Sequence, residues 1–290
     1  MRSPLPLRDK LTWPIPDWSE IEKSEPAENS NAFWTDVGSS WMDLLVEFFE
    51  APYKVTESPH FWLISPYSPK QAIDQVKWLE ATLQKIQKRL GPLGHAELVG
   101  KTPVLVFGND DDYYEYIANY YDEGEWATSG GIYLNDGYGH FAIPDCSKHN
   151  LGGALAHELT HSLMRNTDIP LWLNEGLTQI CEESITGYMS FDMETVRENI
   201  DSFWNQTNIQ LFWNGSGFHT PDETQALSYH LAQLLTFRLI RNRTPFDAFV
   251  LGAQKADAGE ASLVEHFGIS LQELVASSLG VGDWRYRPAR

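Results

Sequence analysis

Residues 151 to 161 read Leu151-Gly152-Gly153-Ala154-Leu155-Ala156-His157-Glu158-Leu159-Thr160-His161. No other stretch of the chain limits the fold as tightly. As a helix, this run sets two histidines four residues apart, one turn from each other on nearly the same side. Leu151, Leu155, Leu159 and, less squarely, Leu163 form an apolar stripe. Position 157 lies about 200° from position 155 on a helical wheel, so the histidines face away from that stripe. The helix is expected to have a core on one side and paired imidazoles on the other. Two such rings can reach one metal ion, with Glu158 at the edge of the same site. A surface helix with two solvated histidines is the competing reading.

A catalytic zinc usually has three protein ligands and a water, so two histidines leave it one short. Residues 170 to 178 read Pro170-Leu171-Trp172-Leu173-Asn174-Glu175-Gly176-Leu177-Thr178. Proline near a helix start, followed by apolar positions, describes a mostly buried helix. Glu175 would then be a carboxylate inside apolar packing. Burying it without a cation costs several kcal/mol, which makes a metal held by His157 and His161 its natural counter-charge.

These residues carry a resemblance. His-Glu-Leu-Thr-His followed by Trp-Leu-Asn-Glu-Gly resembles the gluzincin metallopeptidases, the group that includes thermolysin and aminopeptidase N, and most closely its short peptidase-MA-like members. The likeness is specific over residues 150–180 and looser over 58–285. It implies one zinc held by His157, His161 and Glu175, with Glu158 as general base. It also implies that a sheet edge above the metal helix pairs with a peptide substrate. Gly130, Gly131, Ile132 and Tyr133 are the candidates for that edge, the glycines allowing close approach. The oxyanion donor is expected early in the helix after residue 220, at Tyr229, with His230 as the other choice. Adjacent helical positions point about 100° apart, so one of the two is expected to face the zinc. His140, His149 and His219 are further histidines that can enter a cleft.

Two departures narrow the reading. A Gly-Ala-Met-Glu-Asn stretch, with which the aminopeptidase N group holds a free substrate amine, is absent from the sequence. Peptide-bond hydrolysis of an endopeptidase type is therefore expected over aminopeptidase activity. Gln179 stands where thermolysin-type enzymes have an aspartate that orients a ligand histidine. A catalytically inactive, zinc-stabilised module that binds a peptide or protein is the alternative. Intact Glu158 argues for the enzyme, because a structural site needs no base.

The formal net charge is −19, which disfavours nucleic acid and anionic membrane surfaces as partners. A peptide or protein substrate is expected instead. The sequence has no run of 18 apolar residues, and its first ten residues lack the apolar centre of a secretory signal, so a cytoplasmic location is expected. The two cysteines, Cys146 and Cys181, are expected as reduced thiols.

The pattern along the chain predicts an α+β fold: a zincin-like domain with a small mixed β-sheet over an active-site helix, followed by a helical C-terminal subdomain. Residues 1–57, rich in proline at first, read as an extension with one short helix from Trp41 to about Glu50, capped by Ser39 or Ser40. Residues 58–186 hold the sheet and the metal-binding helices, and residues 187–290 the helical part. Strands are expected at 60–64 and 103–107, and a hairpin at 131–143 turning at Asp136-Gly137-Tyr138. Capping boxes at Ser68-Gln71, Thr220-Glu223 and Ser270-Glu273 mark helix starts.

Overall fold

The computed structural model describes residues 5–9, 11–26, 28–95, 100–120, 130–144, 148–189, 193–200 and 202–288. Its architecture is mixed α+β, with a five-stranded sheet. The chain forms two compact units. One comprises Met1–Lys85 and Glu97–Leu159, the other Ile86–Ala96 and Thr160–Arg290. Among the described residues, no helix is long and apolar enough to cross a membrane.

The first unit carries α1 (Trp18–Glu22), α2 (Ser30–Phe49), β1 (Lys54–Glu57), β2 (Phe61–Ser65) and α3 (Pro69–Leu90). These are followed by β3 (Thr102–Phe107), α4 (Asp110–Ile117), β4 (Ile132–Leu134), β5 (His140–Pro144) and α5 (Lys148–Met164); the last residues of α3 and of α5 fall in the second unit. The strand order is β1-β2-β3-β5-β4. β2, β3 and β5 run parallel, and β1 and β4 are antiparallel edges. The expected hairpin is therefore present, with Tyr133 opposite Phe141 and Leu134 opposite His140.

Side chains alternate across the sheet, so each central strand feeds two layers. Trp62, Ile64, Leu105, Phe107 and Ala142 join one cluster with Trp13, Ile15, Trp18, Trp34 and Trp41. Leu63, Val104, Val106, Phe141 and Ile143, which alternate with them, are also fully buried. The segment read as an extension thus builds the core of its unit. Its strand β1 and most of α2 went unread. Ser39 and Ser40 lie inside α2 rather than at its cap, and the Ser40 hydroxyl donates to the Asp36 carbonyl at 2.9 Å. Proline-rich spacing hides the tryptophans' role, because they meet partners far from their immediate neighbours in sequence, both inside this segment and on the sheet. Trp41, for instance, donates its indole N–H to the Pro14 carbonyl at 2.9 Å.

The capping box of α3 forms as expected. The Ser68 N–H donates to Gln71 Oε1 at 3.2 Å, and the Gln71 N–H donates back to Ser68 Oγ at 3.5 Å. The tyrosines of α4 serve packing: Tyr113 and Tyr116 are fully buried.

The second unit is helical: α6 (Leu171–Thr186), α7 (Met193–Asn199), α8 (Ile209–Trp213), α9 (Glu223–Ile240), α10 (Arg243–Gly252), α11 (Glu260–Phe267) and α12 (Leu271–Leu279). Ser270 and Glu273 make the expected capping box at α12. At α9 the cap is Asp222, whose carboxylate accepts from the Thr224 N–H at 2.7 Å, and not Thr220. Trp172 of α6 anchors this unit. It is fully buried, stacks near Phe212, Trp213 and Phe249, and donates its indole N–H to the Ala258 carbonyl at 2.9 Å. Burying such a ring contributes about 2–3 kcal/mol.

Candidate metal centre

Helix α5 turns its leucines inward: Leu155, Leu159 and Leu163 are buried, while His157, Glu158 and His161 stay half-buried. This is the two-sided helix that the spacing predicts. The Leu151 side chain lies outside the described residues.

Helix α6 begins at Pro170, which adopts extended geometry with φ −60° and ψ 148°. Leu173 and Leu177 are fully buried, and Glu175 is buried with them at 6% exposure. The sequence expectation of a carboxylate inside apolar packing is met. Glu175 Oε2 lies 3.5 Å from His161 Nε2. One ligand atom each from His157, His161 and Glu175 can be chosen so that all lie within 4.8 Å of one another. Two ligand atoms bound tetrahedrally to zinc at about 2.1 Å stand about 3.4 Å apart. The His161–Glu175 separation is close to that edge, and the three residues together form a group that could hold a metal ion.

The orientation of His161 is set by a neighbour that the sequence reading passed over. His161 Nδ1 lies 2.6 Å from Asn174 Oδ1. An amide oxygen only accepts, so Nδ1 carries the proton, and Nε2, on the Glu175 side of the ring, is the atom that would bind a metal. Thr178 Oγ1 stands 3.5 Å from the same Nδ1. Gln179, at the place of the aspartate in thermolysin-type chains, is buried on α6. The clue to Asn174 was its position beside the ligand carboxylate, since a metal-binding histidine nearly always donates its second N–H.

Glu158 lies outside the three-residue donor set. Its Oε2 accepts the main-chain N–H of Tyr133, on edge strand β4, at 3.1 Å. The glycines before that strand pack against neighbouring elements. A Cβ on Gly131, where φ is +146°, would come within 2.4 Å of Ile143 Cδ1 and 3.7 Å of Ala154 Cβ. A Cβ on Gly130 would stand 3.5 Å from Ala154 Cβ. Their smallness lets β4 approach α5 and β5. Ile132 and Tyr133 are half-buried, and Ser129 lies outside the described residues.

Helix α9 packs on α6 at Gly176. A Cβ there would lie 2.1 Å from Thr236 Oγ1 and 2.5 Å from the Ala232 carbonyl oxygen. Only glycine permits this approach, directly beside Glu175. Tyr229 is half-buried, its ring 5.3 Å from Phe218. On the α9 wheel Tyr229 lies about 20° from Thr236, whereas His230 lies about 120° away. Tyr229 thus shares the face turned to α6. Burial holds the His230 imidazole below its ordinary pKa.

No family model matches the chain, and no curated protein matches it.

The remaining histidines divide. His140 is fully buried on β5, with Nε2 2.7 Å from the Tyr116 hydroxyl and Nδ1 3.0 Å from the Tyr138 carbonyl. It belongs to the tryptophan-rich core, against Trp41, and not to a cleft. His219 is exposed. The His149 side chain and Cys146 lie outside the described residues. Cys181 is a buried free thiol whose pKa burial pushes up to about 12, so it stays protonated and unreactive near neutrality.

Proposed function

We propose that this chain is a zinc-dependent peptide hydrolase of the gluzincin type, with a zincin-like arrangement of its sheet and metal helix. The observation that carries the reading is the donor set itself. One donor atom from each of two imidazoles and a carboxylate lies within 4.8 Å of the others, and Asn174 accepts from Nδ1 of one ring, which would leave Nε2 for a metal. A bound zinc ion would act as a Lewis acid and lower the pKa of a water toward neutrality.

The protein groups have separable tasks. His157, His161 and Glu175 hold the ion. Glu158 takes a proton from the attacking water and passes it to the leaving amine. Tyr229 donates a hydrogen bond to the oxygen that gains charge as the scissile carbonyl is attacked. Its place on the face of α9 that meets Gly176 favours it over His230. The absence of a Gly-Ala-Met-Glu-Asn stretch favours cleavage within peptides over removal of single N-terminal residues.

The test is a peptide-library digest by the zinc-loaded protein beside its Glu158→Gln variant. Cleavage by the first and none by the second, with about one zinc on each, is the expected outcome. Equal cleavage by both removes the assigned base. Protein that takes up no zinc removes the site.

A further inference from the structure

The contact between edge strand β4 and the metal helix has a consequence for the base. Among the described residues, β4 is the last strand of the sheet, with β5 as its one strand neighbour. The Tyr133 N–H on that edge is spent on Glu158 Oε2 at 3.1 Å. A carboxylate that accepts a main-chain N–H gains a strong, directional hydrogen bond. The carboxylate is thereby tied to β4, while its neighbour His157 belongs to the three-residue donor group.

The hairpin that carries this N–H is itself held firmly. Asp136 accepts from the Arg8 guanidinium. Gly137, with φ +65°, sits so close to Trp18 that a Cβ would fall 2.1 Å from the Trp18 Cβ. Tyr138 stacks on Trp34, with ring centroids 5.5 Å apart and planes 14° apart. Contacts at three successive turn residues, all from the first 34 residues of the chain, fix the strand on which Tyr133 lies. A donor on such a support can orient a partner to within fractions of an ångström.

We infer that the main-chain N–H of Tyr133 is the positioning group for Glu158, and that β4 serves the base at this residue and not the substrate. The inference rests on the proposed role of Glu158. A peptide adding to β4 as a further strand would have to displace a carboxylate to use this N–H. The pairing of substrate with β4 at Tyr133, expected from the gluzincin resemblance, is thereby replaced. The N-terminal segment becomes part of the catalytic support, acting through the 136–138 turn.

Two measurements test this. The first needs no turnover. Amide hydrogen exchange at Tyr133 is compared in metal-free wild type and Glu158→Ala, with Leu134 as the internal reference. Exchange at Tyr133 is expected to rise about tenfold or more in the variant, as befits loss of a charged acceptor, while Leu134 changes little. Equal exchange in both proteins overturns the contact. The second replaces the Tyr133 amide by an ester, through incorporation of the tyrosine α-hydroxy acid, in the zinc-loaded protein. The expected result is a kcat about tenfold or more below wild type, with KM within about twofold and zinc content intact, since a displaced base costs rate and not binding. A raised KM with unchanged kcat would assign the N–H to substrate and overturn the inference. So would unchanged kinetics. If wild type itself cleaves no peptide, the hydrolase reading fails, and the exchange experiment still decides whether Tyr133 holds Glu158.

Discussion

His161 donates its Nδ1–H to the side-chain oxygen of Asn174 at 2.6 Å, one residue before the carboxylate that faces the opposite edge of the same ring. A single turn of α6 therefore supplies both the partner that orients the imidazole and the carboxylate that would share an ion with it. Asn174→Ala should lower zinc affinity by about 10–100-fold, the usual cost of removing such a partner. Asn174→Asp, which keeps an acceptor, should recover most of it. Competition against a chelator of known affinity measures both. Equal affinities for wild type and Asn174→Ala would show that the ring needs no such support.

Glu158→Gln should retain zinc and lose peptide hydrolysis by a factor of about 100 or more, because general-base catalysis contributes on that scale. Metal analysis and single-turnover rates on one preparation separate the two effects. Loss of the metal along with activity would make Glu158 a ligand.

Tyr229→Phe removes one hydroxyl from the face of α9 that meets α6. Loss of an oxyanion donor typically lowers kcat by about 100-fold or more, and zinc content should not change. His230→Ala should leave kcat within about threefold, since that position points about 120° from the contact line. The reverse ranking in steady-state kinetics would exchange the two assignments.

Gly176→Ala should destabilise the protein by about 1–3 kcal/mol through overpacking. The new methyl would press on the Ala232 carbonyl, which is backbone and cannot rotate away as a side chain can. Urea unfolding reads the change as a lower midpoint at constant slope. An unchanged midpoint would mean that α9 yields without cost.

Acid should weaken the fold through His140. Desolvation holds its folded pKa at about 4, against an ordinary value of 6.5. From pH 6.5 down to about 4 the unfolded chain binds a proton that the folded chain refuses. Stability therefore falls with pH in that window and is unaffected by this group above it. The loss amounts to roughly 3 kcal/mol at the lower limit. Urea midpoints taken at pH 7.5, 6 and 5 should decline in wild type. They should decline less in His140→Gln, whose side chain does not titrate.

Some of this could be read without coordinates, because it depends on neighbours close in sequence. The helical period alone sets His157 and His161 one turn apart and puts Leu155 and Leu159 on the other side. Ser68-Gln71 and Ser270-Glu273 make their caps within one turn, and the hairpin at 136–138 follows from a short turn between two apolar runs. Glu175 as a buried acid followed from the apolar residues around it.

Other features wait on residues far apart in the chain. The first 57 residues show no periodicity that reveals a core, yet Trp18 and Trp41 are packed into one with strands as distant in sequence as β5. Gly131 reads as an opening for a ligand, and only the folded chain shows that a Cβ there would also press on Ile143 of β5. Sequence spacing determined the two histidines and the acid, since a helix repeats every 3.6 residues whatever surrounds it. Tertiary structure alone decided that Asn174 orients the ring, that Tyr133 holds the base and that Gly176 admits α9. Each of these depends on a distance across packed elements, which no local pattern encodes.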